Sequence, residues 1–371
     1  MFPENATETV DRTTERTIVG AFYIVISTGM IIPYAMCMYI FATEKKFQGV
    51  PFYRTAFFMG IMDLGQLTCN GLYAGLCCLV TFRMPYMVEK FNNSFLCMCW
   101  YTYTMLTHLM AINRFVTVYW PQKVDDIFSY KITSVLIALS FLHGSMWFGV
   151  FMWPDVYEYF STDDYSFMFD FTRSKSLLAV QMNGYEDLVH SIGMILWYSL
   201  TYIKLRIKWV FYKMLPNKKV TEIGTVVKSV YIRSQIVSES IAHNNRKENK
   251  VLLQAVVLCS MDIATIVTYL IVELLPHSRW TSLISNYVWL FCAGNCPLIY
   301  LTLNSVVRAR FLKMFCKNRI VPTGSDGPLM VGTPHDTIVT AGKFLYIVLI
   351  YIIEKRHCKL LERLGGTIAC V

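Results

Sequence analysis

Seven stretches of this chain are too apolar and too long for anything but membrane-spanning helices: Thr17–Thr43, Thr55–Phe82, Phe95–Tyr119, Ile132–Trp153, Tyr185–Phe211, Val251–Leu275 and Ser282–Leu303. A helix rises about 1.5 Å per residue and needs about 20 residues to cross the hydrocarbon core of a bilayer. Each stretch carries apolar residues on every side, which a strand with one solvated face does not. The fold class that follows is an all-α membrane protein, a seven-transmembrane helix bundle.

Composition sharpens this. Charged residues make up 16% of the chain and hydrophobic ones 55%, against about 25% charge in soluble domains. The net charge of +9 does not read as a nucleic-acid patch, because the basic residues lie between apolar runs rather than on one polar domain. Several of the 12 cysteines (Cys37, Cys69, Cys259, Cys292, Cys296) sit inside those runs, where a thiol acts as a small hydrophobe. No paired CxxC pattern marks structural zinc.

The basic residues also set orientation. With the N-terminus outside, most of the 34 Lys and Arg fall on the cytoplasmic side, notably Lys204 to Lys250 and Arg308 to Arg363, as the positive-inside rule requires. The loop around residues 154–175 is acidic instead, with Asp155, Glu158, Asp163, Asp164 and Asp170. Two glycosylation sequons, Asn5-Ala-Thr and Asn92-Asn-Ser, then lie outside. The chain divides into an extracellular N-terminus (1–16), the transmembrane bundle (17–304) with a polar cytoplasmic connection (212–250), a short membrane-surface helix (305–317) and a cytoplasmic tail (318–371). In the surface helix Val307, Phe311, Met314 and Phe315 share one face, and Arg308, Arg310, Lys313 and Lys317 fill the rest, a pattern suited to an anionic leaflet. Cys316 is a candidate acylation site. Phe344–Ile353 is apolar but too short to span.

Polar side chains inside spans are costly and mark function. On span three Tyr101, Thr104, Met105 and His108 share a helical face; near the outer end of span five stand Glu186, Asp187 and His190. Together they are the candidate lining of an outward-opening ligand pocket. Taken singly, each also has a plain structural reading: the acids in interfacial water, the histidines bonded within the bundle. Asp63 and Asp262 are buried polar positions, to be paired, cation-bound or neutral. HExxH, GxSxG and GxxxxGK[ST] are absent. His143 and His190 alone are a weak start for a metal hydrolase, so neither catalysis nor a cofactor nor a metal is expected.

Asn113-Arg114-Phe115 closes span three, and Asn295-Cys-Pro-Leu-Ile-Tyr300 lies in span seven. With seven spans, these elements resemble the G-protein-coupled receptors. More closely, Ala111 to Pro121 and Leu303-Asn-Ser-Val-Val-Arg308 are similar to the nematode serpentine chemoreceptors, class gamma or a close relative. That resemblance implies a plasma-membrane receptor of sensory neurons that binds a small-molecule ligand outside and activates a heterotrimeric G protein inside. It makes Arg114 the arginine that exchanges an internal partner for the G protein, with Asn113 where many relatives carry an acid; an amide cannot form the same ion pair. Asn295, Pro297 and Tyr300 match the N-P-x-x-Y element with one residue inserted, and Pro297 permits a kink. The resemblance also implies a disulfide from the top of span three to the next outer loop, yet residues 154–183 hold no cysteine, leaving Cys97 and Cys99 without that partner and Cys77 or Cys78 as substitutes. A seven-span channel or transporter, with Asp63, Asp262 and His108 along an ion path, is the alternative.

Overall fold

The computed structural model describes residues 5–80, 82–214, 257, 260–269, 271–272, 275 and 278–315. The connection beyond residue 214, much of span six, Cys316, the segment 344–353 and the tail lie outside these residues.

Helix follows helix, as the apolar runs dictate. α1 (Asn5–Thr43) starts well before its apolar run, so the polar residues from Asn5 to Arg16 are helical and continuous with the first span. After a short turn, α2 (Lys45–Gln48), the second span comprises α3 (Pro51–Gln66), a π-helical turn (Leu67–Tyr73) and α4 (Ala74–Leu79). α5 (Tyr86–Tyr119) is the third span. A 3-10 turn and α6 (Val124–Ile127) lead to α7 (Tyr130–Met152). A hairpin of β1 (Glu158–Ser161) and β2 (Ser166–Phe169) precedes α8 (Ser176–Met214). Residues 260–269 of span six, α9, are helical. The last span is divided at Asn295 into α10 (Arg279–Gly294) and α11 (Cys296–Leu303).

Among the described residues three helices, Arg12–Thr43, Tyr86–Tyr119 and Tyr130–Met152, are each long and apolar enough to cross a membrane unaided. The second span is interrupted by the π-turn and the last by the break at Asn295. α5 is the central helix: it packs on α3, α7, α8 and β1. Its buried residues therefore cover most of its circumference, from Leu96 and Trp100 through Tyr103 and Leu106 to Met110.

α1 and α4 cross closely. A Cβ on Gly75 would stand 2.9 Å from the carbonyl oxygen of Gly20, and a Cβ on Gly20 as close to the carbonyl oxygen of Gly75. Small residues at both positions let the backbones touch, the usual route to tight packing where lipid offers no hydrophobic drive. At the π-turn, Gly71 lies against the side chain of Ser27, and Asn70 is fully buried with both side-chain polar atoms unpaired.

Polar contacts identify the two ends of the bundle. At one end Glu15 accepts from the Tyr165 hydroxyl at 3.0 Å and pairs with Arg279 at 3.4 Å, while Arg16 donates to the Val80 carbonyl. At the other, Arg54 donates to the Tyr130 carbonyl at 2.9 Å and the Tyr119 hydroxyl to the Leu200 carbonyl at 3.1 Å.

A second compact unit begins at Asn304. Its helix α12 (Ser305–Phe315) is capped by Asn304, whose Oδ1 accepts the backbone N–H groups of Val306 and Val307. Val307 and Phe311 are buried as the amphipathic pattern requires, whereas Met314 is exposed.

Candidate functional site

The hairpin roofs one end of the bundle, and its anchorage is polar. Four residues, Thr162 to Tyr165, link its strands, with Tyr165 in the left-handed region at φ 55°; the Tyr165 carbonyl accepts from the buried Tyr23 hydroxyl at 2.8 Å. Three consecutive polar contacts from the first turns of α5 hold the other side. Glu89 accepts from the Tyr157 hydroxyl and from the backbone N–H of Phe160. Lys90 donates to the carbonyls of Trp153 at 2.8 Å and Val156 at 2.5 Å. Asn93 donates to the Glu158 carbonyl at 2.5 Å. Glu89 and Lys90 are both almost wholly buried. Cys97, Cys99, Cys77 and Cys78 are free thiols, so the substitute disulfides expected at this end do not form; charged side chains from one helix turn tie the loop instead.

Beneath the hairpin lies a cavity of about 400 Å³ between α5, the hairpin, α8, α9 and α10. Trp100, Phe167, Phe169, Tyr269 and Trp289 form much of its wall, and Asp187 and Glu158 place carboxylates on it. Asp187 accepts from the Trp100 indole at 2.9 Å. Glu158 receives only the weak thiol donor of Cys97, at 3.9 Å, and burial pushes its carboxyl up to about 8.

Of the seven pocket residues expected from sequence, Asp187 lines this cavity and the other six do not. Tyr101 bonds Asn183 and stacks on Trp147, with centroids 4.2 Å apart. Thr104 donates to the Tyr101 carbonyl of its own helix. Met105 is 38% exposed and points out of the bundle. Its position in the 3.6-residue pattern was compatible with the pocket face, but the packing of α5 on several neighbours turns it outward. Glu186 accepts from the Trp147 indole at 2.7 Å and pairs with His143 at 2.9 Å. His190 and His108 share one hydrogen bond of 2.9 Å, ring edge to ring face. These pairs match the structural readings of the histidines, and no group of three metal-ligating side chains forms among the described residues. The sequence features that fall on the wall of this cavity are the aromatic positions Trp100, Tyr269 and Trp289 and the phenylalanines of the aromatic-rich outer loop.

From the cavity a chain of polar contacts runs inward. The Trp289 indole donates to Gln66 at 2.7 Å, Gln66 donates to Asp63 at 3.3 Å, and Asp63 accepts from the Tyr34 hydroxyl. Asp262 accepts from the Tyr103 hydroxyl at 2.8 Å and from the Cys292 thiol at 3.2 Å. Asp63, Asp262 and His108, the residues of the ion-path alternative, are each engaged by neighbouring side chains.

At the opposite end the switch candidates meet in an aromatic cluster. The Arg114 guanidinium lies over the Phe52 ring, and Phe52 packs on Tyr53, Tyr53 on Phe41 and Phe41 on Tyr300. Asn113 is buried. Phe115 packs against Trp197 of α8 at 5.4 Å. Asn295, at the division of span seven, has neither side-chain polar atom bonded, and the Tyr300 hydroxyl is likewise unpaired. Pro297, two residues on, lacks the N–H that would continue the ladder across that division. Of the glycosylation candidates, Asn92 lies within α5 and donates to the Asn93 side chain, and Ser94 of its sequon is buried. Asn5 begins α1, and its side chain lies outside the described residues.

Comparison with known proteins agrees with this architecture. The structure is similar to squid rhodopsin, with a TM-score of 0.64, 13% identity, and coverage of 82% of this chain and 86% of that one; at that identity the likeness concerns the fold, a seven-helix bundle. No curated protein sequence matches. Residues 3–230 and 223–323 match the family described as serpentine type 7TM GPCR chemoreceptor Srt. The chain is therefore a membrane protein of the Srt family of serpentine G-protein-coupled chemoreceptors, a receptor class and not an enzyme class.

Proposed function

We propose that this receptor sits in the plasma membrane of sensory neurons with its N-terminus outside, binds a small molecule in the cavity beneath the hairpin, and activates a heterotrimeric G protein at the opposite end. The observation that carries the reading is the chain of polar contacts that leads from the cavity wall into the bundle. A ligand against Trp289 bears directly on Gln66 and, through it, on Asp63 and Tyr34. Arg114 and Tyr300 wait in the aromatic cluster of the far end. A ligand that favours one arrangement of this path shifts the population toward it by its differential affinity. Pro297 and the division of span seven beside it supply a hinge.

The test is guanine-nucleotide exchange on a heterotrimeric G protein in membranes containing the receptor. Arg114→Ala should abolish exchange at unchanged surface expression, and Ser285→Trp, which fills the cavity, should remove the ligand response while leaving basal exchange. Exchange that persists in Arg114→Ala would overturn the coupling assignment. A glycosidase-sensitive shift that disappears in Asn5→Gln would support the outward N-terminus, and an epitope beside Pro121 reachable on intact cells would refute it.

A further inference from the structure

We propose that the cavity beneath the hairpin takes a ligand with a protonated amine on a compact aromatic or apolar body, held between the carboxylates of Asp187 and Glu158. The inference rests on the receptor reading above and names the ligand class of that site.

Three observations converge. First, the wall is aromatic, with Trp100, Phe167, Phe169, Tyr269 and Trp289 facing a volume of about 400 Å³, at the small end of small-molecule pockets. Ring faces attract a cation held against them. Second, two carboxylates interrupt that wall, and among the described residues no Lys, Arg or His lines it. Third, neither carboxylate has a basic partner among the described residues. Asp187 uses one oxygen on the Trp100 indole, and Glu158 receives only the Cys97 thiol. The nearby acids are engaged elsewhere: Glu186 with His143 and Trp147, Glu89 with Tyr157 and Arg83.

Acids buried without a counter-charge are costly. A bound ammonium offsets that cost, donating to the free oxygen of Asp187 and to Glu158. An anionic ligand would find two acids and no cationic partner among the described lining residues, and a neutral apolar one would strip water from the carboxyls and return nothing.

The experiment uses the full-length receptor in nanodiscs and three probes of similar shape but different charge: 2-phenylethylamine, 2-phenylethanol and 3-phenylpropionate. Thermal unfolding is followed by tryptophan fluorescence. The amine should raise the midpoint more than the alcohol, and the propionate should not raise it. Asp187→Asn, which keeps an acceptor for the Trp100 indole, should weaken the apparent affinity for the amine at least tenfold and leave the alcohol unchanged. Glu158→Gln should weaken it several-fold. The proposal is overturned by the alcohol or the propionate stabilising as strongly as the amine, by an amine shift that survives in the double variant, or by no amine shift at all. None of these outcomes touches G-protein coupling, which nucleotide exchange reads; an intact amine shift without exchange would overturn the coupling reading alone.

Discussion

The guanidinium of Arg114 lies 4.1 Å from the centroid of the Phe52 ring. Its Nε is buried without a hydrogen-bond partner, so the arginine at the end of span three is retained by an aromatic face where an acid-bearing receptor would use a carboxylate. A partly desolvated cation–π contact contributes on the order of 1–2 kcal/mol. Removing it should free Arg114 for the G protein. Phe52→Leu is expected to raise ligand-free nucleotide exchange about fivefold, the equivalent of about 1 kcal/mol. Measured at matched surface expression, unchanged or lower basal exchange would contradict the aromatic latch.

The roof of the cavity depends on Lys90. Its ammonium satisfies two main-chain carbonyls, those of Trp153 and Val156, and hydrogen bonds to a charged group contribute about 1.5–3 kcal/mol each. Lys90→Met should lower the unfolding midpoint clearly in detergent. Because Cys97 and Cys99 are free thiols, dithiothreitol should leave the wild-type midpoint where it was. A large drop on reduction would show that a covalent bond, and not this clamp, holds the loop.

Glu158 gives the hairpin a pH dependence. Burial raises its carboxyl from an ordinary 4.5 to about 8. Between those values the folded state holds a proton that the unfolded state has released, so the contribution of this group is complete below about pH 4.5 and is lost as pH rises through about 8. The described groups around it are the Cys97 thiol and Tyr101 hydroxyl on α5, the Tyr269 hydroxyl on α9 and Asp187 across the cavity on α8; none of them is cationic. Ligand-free receptor should therefore unfold at lower temperature at pH 8.5 than at pH 6, and Glu158→Gln should flatten that slope. An unaltered slope in the variant would place the titrating group elsewhere.

The α1–α4 crossing tolerates little. Gly75→Ala would bring a methyl to 2.9 Å from the Gly20 carbonyl oxygen and 2.7 Å from Ile24, so the helices must separate. Overpacking of this kind costs about 1–3 kcal/mol. Gly149→Ala, with open space at its Cβ, is the control. Folded yield on size-exclusion chromatography should fall for the first and hold for the second; equal yields would mean that the crossing is not tight.

Span positions were legible because a bilayer imposes a minimum apolar length, and α5, α7 and α8 lie where the apolar runs predict them. The Asn113-Arg114-Phe115 and Pro297–Tyr300 motifs are what single out the residues proposed as the switch. The cavity was not. Helical periodicity groups Tyr101 with Met105 and His108, but α5 is surrounded, and its own pattern does not say which buried face meets empty space. Likewise, Glu89 and Lys90 near the start of a span read as interfacial charges until the hairpin folds over them. The hairpin itself hides in an acidic, aromatic loop whose strands are four residues each.

The π-turn in the second span has one more consequence. It accommodates a residue beyond what an α-helical path of the same rise would need. Alignments of kindred chains should open a one-position gap between Leu67 and Tyr73. Deleting a single residue there should turn the stretch into ordinary α-helix while Cys77 and Cys78 keep nearly the faces they have.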